Sequence, residues 1–247
     1  MLELKGVDFK PDGTVVLDAV DLQIRHGEIF VVMGASGAGK STILRIINGL
    51  QRPDAGNVLV DQEDITLFSE TKLMAIRRKV GMVFQSAALF DSLSVAENVG
   101  FGWRKERISK AEFNHRVEET LRVVGLAGIG NRMPAELSGG MKKRVGLARA
   151  IAMNPQAILY DEPTAGLDPM SSKTILELIK DLNFRLQVTS VVVTHDLPGA
   201  FAVADRVALL HKGKIAFMGT VAQMKETAIP LVKEFVTGEQ MDNSQLG

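Results

Sequence analysis

The spacing of apolar residues at the start of the chain predicts short strands followed by a helix. Leu2, Leu4 and Val7 are separated by polar positions, and Ile29 to Met33 is a continuous apolar run. A glycine-rich segment follows that run, and the apolar positions between Ser41 and Leu50 then repeat with helical spacing. The pattern therefore predicts a strand, a loop and an amphipathic helix in immediate succession.

The spacing becomes helical in the middle of the chain and returns to strands afterwards. Ala111 to Val124 and Gly139 to Met153 have helical spacing, whereas Ala157 to Tyr160 and Ser190 to Val193 are apolar runs typical of buried parallel strands. This order predicts an α/β fold whose mainly parallel sheet is flanked by helices, with an N-terminal antiparallel β subdomain and an inserted helical lobe. The predicted boundaries are 1–85 and 155–237 for the core, 86–154 for the lobe and 238–247 for a polar tail.

Composition excludes several classes of protein. The 247 residues carry 29 Lys plus Arg against 29 Asp plus Glu, so the surface has no overall basic field for nucleic acid. The absence of cysteine excludes disulfides, thiolate metal sites and thiol nucleophiles. No stretch of about 18 apolar residues occurs, and the N-terminus lacks a signal-peptide pattern. We expect a soluble cytoplasmic protein that can still bind a membrane partner.

The glycine-rich segment Gly34-Ala-Ser-Gly-Ala-Gly-Lys-Ser41 matches G-x4-G-K-[ST] between a predicted strand and a predicted helix. Its glycines let backbone N–H groups surround phosphate oxygens, and the helix N-terminus favours the same anion. We expect Lys40 to reach the β- and γ-phosphates and the Ser41 hydroxyl to ligate Mg²⁺. The residues of this predicted phosphate site are Gly34, Ala35, Ser36, Gly37, Ala38, Gly39, Lys40, Ser41 and Thr42.

Polar residues at the ends of three predicted strands complete the candidate chemistry. Asp161 is a candidate ligand of Mg²⁺, and Glu162 is expected on the opposite face as the general base for an attacking water. His195 follows the next buried strand and is expected to reach the γ-phosphate. Gln85 follows the Val80 to Phe84 strand in the same way. The predicted catalytic residues are thus Glu162, His195 and Lys40.

A second anion site is possible at Leu137-Ser-Gly-Gly-Met141. Ser138 is a candidate N-cap, and Gly139 and Gly140 expose backbone N–H groups ahead of a helix. A plain helix cap explains the same residues, and the spacing leaves both interpretations open. The three basic residues that follow, Lys142, Lys143 and Arg144, are interpreted as a solvated helix face.

Together these motifs resemble, in order, the Walker A, Q-loop, signature, Walker B, D-loop and H-loop of ABC-transporter ATPases, with Ala165 to Asp168 as the D-loop. The resemblance implies a P-loop NTPase core that hydrolyses ATP with Mg²⁺ as a head-to-tail dimer of two copies. It also implies that Asp168 crosses the dimer interface and that Gln85 joins Mg²⁺ sensing to a membrane subunit. The residues implied to face the partner's nucleotide are Ser138, Gly139, Gly140 and Met141, and those implied to hold the metal are Ser41, Gln85 and Asp161.

Two segments, Phe84 to Val99 and Glu136 to Arg144, resemble a narrower branch, the MlaF-type ATPases of MCE-type lipid transporters. This resemblance implies a subunit on the cytoplasmic face of the inner membrane that powers phospholipid movement between inner and outer membranes and maintains outer-membrane lipid asymmetry. The implied partners are an MlaE-like permease, an MCE-domain MlaD-like protein and a STAS-domain MlaB-like protein. The Met141 in place of the usual Gln is interpreted as a mark of this branch.

Other interpretations stay open at this point. The chain could be the ATPase of an ABC importer for a small polar solute such as an amino acid, because the ATP-binding motifs are shared. A soluble ABC ATPase of DNA repair or translation and a non-enzymatic nucleotide-binding regulator are less favoured. The aromatic residue that usually stacks on adenine would fall near Pro11, where none stands, and Phe9 is expected to face the sheet. The preference for ATP over GTP is therefore open.

Overall fold

The structure, a computed structural model, describes residues 1–238 and contains two sheets. Apart from Gly238, the predicted polar tail lies outside the described residues. The four-stranded antiparallel sheet has the order β2-β1-β4-β5, and its strands are Leu2–Phe9 (β1), Leu17–Ile24 (β2), Ala55–Val60 (β4) and Glu63–Asp64 (β5). The six-stranded sheet has the order β10-β9-β3-β8-β7-β6, and its strands are Ile29–Met33 (β3), Val80–Val83 (β6), Ala157–Asp161 (β7), Thr189–Thr194 (β8), Arg206–His211 (β9) and Lys214–Thr220 (β10).

Helices cover the larger sheet and form a helical region between β6 and β7. The α-helices are Lys40–Ile47 (α1), Glu70–Lys79 (α2), Val95–Val99 (α3), Lys110–Val123 (α4), Gly139–Ile151 (α5), Pro169–Leu186 (α6), Leu197–Val203 (α7), Val221–Glu226 (α8) and Pro230–Thr237 (α9). In the larger sheet β3 pairs in parallel with β8 and β9, and β7 pairs in parallel with β6 and β8. The α/β fold class predicted from the sequence is confirmed, whereas the domain boundaries at 86 and 154 stay predictions.

The larger sheet separates two apolar cores because side chains alternate along each strand. Val31 and Met33 of β3 pack with Tyr160 on the side of the middle helices. Phe30 and Val32 point the other way, into a core shared with α1 and the antiparallel sheet. Since both faces are covered, the central strands are apolar at nearly every position, and their polar residues are displaced to the strand ends.

Within residues 1–238, no helix combines the length and the apolar character needed to cross a bilayer.

Candidate phosphate-binding and catalytic site

The candidate site lies at the carboxyl edge of the larger sheet. Because β3, β6, β7 and β8 run in parallel, the segments that follow them meet at one edge. The segment after β3 is the glycine-rich loop, and the other three strands bring Gln85, Asp161 with Glu162, and His195 to it. The structure thus brings together the residues that the sequence assigned to this edge.

The glycine-rich loop needs glycine for two different reasons. A Cβ on Gly34 would lie 2.4 Å from the carbonyl oxygen of Leu210, so the backbones approach too closely for any side chain. Gly39 has φ 102°, which side-chain-bearing residues rarely adopt. Helix α1 begins directly after Gly39 and has no acidic residue in its first turn, so its free N–H groups can face an anion.

Lys40 is buried inside this loop. Its ammonium donates to the carbonyl oxygens of Gly34 at 2.9 Å and Ala35 at 3.1 Å. It also lies 3.5 Å from a carboxylate oxygen of Glu162. A buried ammonium is stable only with such partners, and here they fix its position at the centre of the loop.

Ser41 and Asp161 form a direct contact that fits a magnesium site. The Ser41 hydroxyl donates to the Asp161 carboxylate at 2.7 Å, and Asp161 is buried. Gln85 lines the adjoining cavity of about 530 Å³ together with both residues. A hydroxyl, a carboxylate and an amide oxygen are hard ligands of the kind that Mg²⁺ binds, so this donor set fits the predicted metal.

Glu162 joins the loop to His195. One carboxylate oxygen faces Lys40, and the other lies 3.0 Å from Nδ1 of His195. Strand alternation predicts that Glu162 faces away from Asp161, but Glu162 has φ 45°, outside the extended region. The left-handed turn ends the alternation, and as a result both carboxylates contact the phosphate loop.

The phosphate loop opens on a cavity of about 290 Å³. Lys40, Thr42, Gln85, Glu162 and His195 are among the residues that line it. Its size and polar lining suit the phosphate groups of a nucleotide, and the side chain of His195 is largely exposed, so a ligand can reach it.

Val16 also lines this cavity, and the sequence analysis did not identify it. It lies in the connection between β1 and β2, while Phe9 packs against the apolar core as expected. Val16 is one of three successive apolar residues, Val15 to Leu17, so the sequence gives no signal that sets it apart. Val16 is aliphatic, so it offers no aromatic ring at this cavity.

The signature residues lie elsewhere on the surface. The Ser138 hydroxyl accepts from the backbone N–H of Met141 at 3.3 Å, so Ser138 caps α5. Ser138 and Gly139 are exposed, and in the described part of the chain neither lines the phosphate-loop cavity. A Cβ on Gly139 would be 3.6 Å from Leu167, which places the start of α5 beside the D-loop.

Asp168 of the D-loop is likewise exposed and caps the next helix, α6. Its carboxylate accepts from the backbone N–H groups of Met170 and Ser171, both at 3.0 Å. Hydrogen bonds from Ser171 and Met170 lower the pKa of Asp168, so the carboxylate stays ionised. The start of the D-loop, Ala165 and Gly166, lines the cavity beside Ser41, whereas its end at Asp168 is exposed near the signature. The signature itself lines neither this cavity nor the phosphate-loop cavity of the described chain.

The interpretation of Lys143 as part of a solvated face is wrong. Its residue exposure is 6%, and its ammonium donates to the backbone carbonyls of Gln85 and of Glu162. Burial lowers the pKa of Lys143, while the nearby carboxylates of Asp161 and Glu162 act in the opposite direction. The signal that could have identified it is Gly146, three residues later on the same helix face, since a helical glycine often marks a close approach.

Solved structures similar to this chain include ABC-transporter cassettes. A dimeric post-hydrolysis state of the ATP-binding cassette MJ0796 bound to ADP and Pi matches with a TM-score of 0.81 and 37% identity, over 90% of this chain and 99% of that chain. The structure of cbiO1 from Clostridium perfringens, part of the ABC transporter complex cbiONQ, matches with a TM-score of 0.82 and 32% identity, over 89% and 88% of the two chains.

Curated proteins similar to the chain include methionine import ATP-binding proteins. The methionine import ATP-binding protein MetN 2 of Rhodococcus jostii is 47% identical over 227 residues, which are 90% of this chain and 65% of the relative. MetN of Geobacillus kaustophilus is 42% identical over 221 residues, 89% of this chain and 65% of the relative. The chain thus spans about two thirds of the length of these relatives.

These relatives correct the narrower prediction made from the sequence. Proteins 42–47% identical to the chain are named as methionine import proteins, so the prediction of an MlaF-type phospholipid transporter is wrong. Met141 and the segment after Gln85 do not mark a lipid-transport branch. The MlaE-like, MlaD-like and MlaB-like partners were predicted from the same resemblance, so they are no longer supported.

A family model described as ABC transporter matches residues 17–165, more than half of the chain. The matched region runs from β2 through the phosphate loop and α5 to the D-loop. Because the family consists of ATP-binding cassettes, the predicted cofactors, ATP with Mg²⁺, are confirmed. The chain belongs to the ABC transporter family.

Proposed function

We propose that the chain is the ATP-hydrolysing subunit of an ABC importer for a small polar solute, with methionine as the first substrate to test. The observation that carries the import assignment is the 42–47% identity to methionine import ATP-binding proteins over about nine tenths of the chain. The contacts of Glu162 with Lys40 and His195 at the phosphate loop support the hydrolytic part.

Each side chain at the sheet edge has a task in hydrolysis. The loop N–H groups and Lys40 bind the β- and γ-phosphates and stabilise charge on the transferring phosphoryl group. Glu162 accepts a proton from the water that attacks the γ-phosphorus in line with the leaving ADP oxygen. His195, which contacts Glu162 through Nδ1, orients that carboxylate and faces the γ-phosphate.

Ser41, Asp161 and Gln85 are the residues that would hold Mg²⁺. The metal supplies charge neutralisation on the phosphate oxygens when it is bound. The existing hydrogen bond between Ser41 and Asp161 places these two oxygen ligands next to each other before any metal binds.

A second copy of the chain completes the site in this proposal. Each chain has one phosphate loop and one signature, and the two lie apart on its surface. In a head-to-tail dimer, Ser138, Gly139 and Gly140 of one copy would face the nucleotide held by the other, next to Asp168. The structural relative MJ0796 is described as dimeric. The dimer would bind a membrane permease on the cytoplasmic side.

Uptake of labelled methionine tests the import assignment. Cells that lack the chain should lose high-affinity methionine uptake, and the wild-type gene should restore it. A gene carrying Glu162→Gln should not restore it, because uptake would need ATP turnover. Uptake of an amino acid that uses another transporter is the control. Unchanged methionine uptake in the deleted cells would remove methionine as the substrate.

A further inference from the structure

Lys143 is a buried cation with no task in the proposed reaction. Its ammonium donates to the carbonyl oxygen of Gln85 and, at 3.3 Å, to that of Glu162. These two carbonyls belong to the segments that follow β6 and β7, the strands that deliver a predicted metal ligand and the predicted general base. One side chain of α5 therefore links both segments to the helix.

The same face of α5 contacts the segment after Gln85 at two further residues, Gly146 and Arg149. A Cβ on Gly146 would lie 3.3 Å from Cβ of Ala87, so helix and segment are in close contact there. Arg149 donates to the carbonyl oxygens of Ala87 and Ala88, both at 2.7 Å. Lys143, Gly146 and Arg149 are spaced three residues apart and form one row along the helix. Lys143 extends this row to Glu162.

The signature lies at the N-terminal end of α5, close to Lys143 along the helix. Helix α5 begins at Gly139, four residues before Lys143, which is about 6 Å along the axis at 1.5 Å per residue. Ser138 caps that end and is exposed. A helix is stiff over this length, so the position of Lys143 determines where Ser138 to Gly140 lie relative to the sheet edge.

We infer that Lys143 is a positioning residue that fixes the signature to the backbone of Gln85 and Glu162. The signature that one copy presents to the second copy is therefore held in place by the catalytic sheet edge of its own chain. The inference rests on the proposed hydrolysis by a head-to-tail dimer. Lys143 acts through backbone carbonyls and takes no part in proton or phosphoryl transfer.

Three variants separate this role from simple packing. Lys143→Met keeps the length of the apolar stem and removes the donors, and Lys143→Gln restores an N–H donor without the charge. Lys142→Met is the matched control, since it removes a lysine from the same helix turn at a more exposed position. The measurements are the affinity for a fluorescent ATP analogue and the steady-state kcat for ATP, made at a temperature where every variant is folded by circular dichroism.

We expect Lys143→Met to lower kcat by roughly tenfold or more, as misplacement of reacting groups does, while the affinity for the analogue stays within twofold. Lys143→Gln should recover at least half of the decrease in log kcat that Lys143→Met causes. Lys142→Met should have the kcat of the wild type. A kcat for Lys143→Met within twofold of wild type overturns the inference, as does an affinity that falls in step with kcat. A wild-type protein that binds but never hydrolyses ATP overturns the proposed function itself.

Discussion

The phosphate loop and the signature are built from similar sequence, with glycines at the start of a helix, but the structure surrounds them differently. The phosphate loop contains the buried Lys40, contacts the buried carboxylates of Asp161 and Glu162, and opens on a cavity. The signature is capped by Ser138 and lies exposed beside the D-loop. A glycine-rich helix start becomes a self-contained anion site only where the fold brings further charged groups to it.

The contrast also explains which changes should act within one chain and which should act between two. Changes at the phosphate loop should impair a single copy, because its partners are in the same chain. Changes at the signature should leave nucleotide binding by one copy intact and should impair turnover, which would need a second copy.

Lys40→Ala should have the largest effect. It removes the cation that contacts Gly34, Ala35 and Glu162, and it leaves the buried carboxylate of Glu162 without a cation beside it. Since Lys40 would pair with the phosphate oxygens of ATP, its loss should lower ATP affinity by about 10²-fold or more, as loss of one partner from a buried charge pair does, and turnover should be lost as well. Isothermal titration with ATP measures the effect. Unchanged affinity with normal turnover would contradict the phosphate-loop assignment.

Glu162→Gln should separate binding from chemistry. The substitution keeps the size of the side chain and removes the base, so turnover should fall by about 10²-fold or more. ATP affinity should stay close to that of the wild type, because the loop N–H groups and the hydrogen bonds of Lys40 to Gly34 and Ala35 are kept. Phosphate release under saturating ATP measures the change. Near-normal release would remove Glu162 from its role as general base.

Gly139→Asp should give a smaller effect confined to turnover. A Cβ at this position meets Leu167 at an ordinary contact distance of 3.6 Å, so the chain should fold. The added negative charge would face the phosphate held by the second copy and should lower turnover at least about tenfold, comparable to weakening an anion donor. ATP binding by the single chain should not change. Gly139→Ala is the matched control; if binding fell as much as turnover, the signature would not act between copies.

Nucleotide selectivity should show the smallest effect. Neither Pro11, where the stacking aromatic would fall, nor the nearby Val16 offers a ring, and stacking of a base on an aromatic side chain contributes about 1–3 kcal/mol. Without that contribution, ATP and GTP should bind with affinities within about threefold of each other. Competition of each nucleotide against a fluorescent analogue measures the ratio. A preference above about 30-fold would show that another group recognises adenine.

Most of the structure around the phosphate loop could be predicted from the sequence, because local motifs determine it. The order of strand, loop and helix around Gly34 to Ser41 follows from apolar spacing, and parallel strands bring Asp161 and His195 to the same edge. The turn at Glu162 was less predictable, since its left-handed φ ends the alternation that strand spacing implies. Helix α1 begins at Lys40 and ends at Ile47, three residues before Leu50, the last apolar position of the pattern.

The sequence was less informative about α5 and about specificity. Lys143 lies among polar and basic neighbours, and only the approach of two carbonyls from distant segments makes its burial favourable. Local spacing cannot show such long-range partners. The prediction of a transported phospholipid was wrong because the segments used to choose it, around Gln85 and Met141, lie in motifs for ATP binding, which ABC ATPases of different transporters share.

The central claim is that two copies share each ATP site. The most direct measurement is the solution mass of the Glu162→Gln variant by light scattering, with and without Mg-ATP. The account predicts a mass near the 26.8 kDa of the single chain without nucleotide and twice that value with Mg-ATP. A variant that binds Mg-ATP with full affinity and keeps the mass of one chain would contradict it.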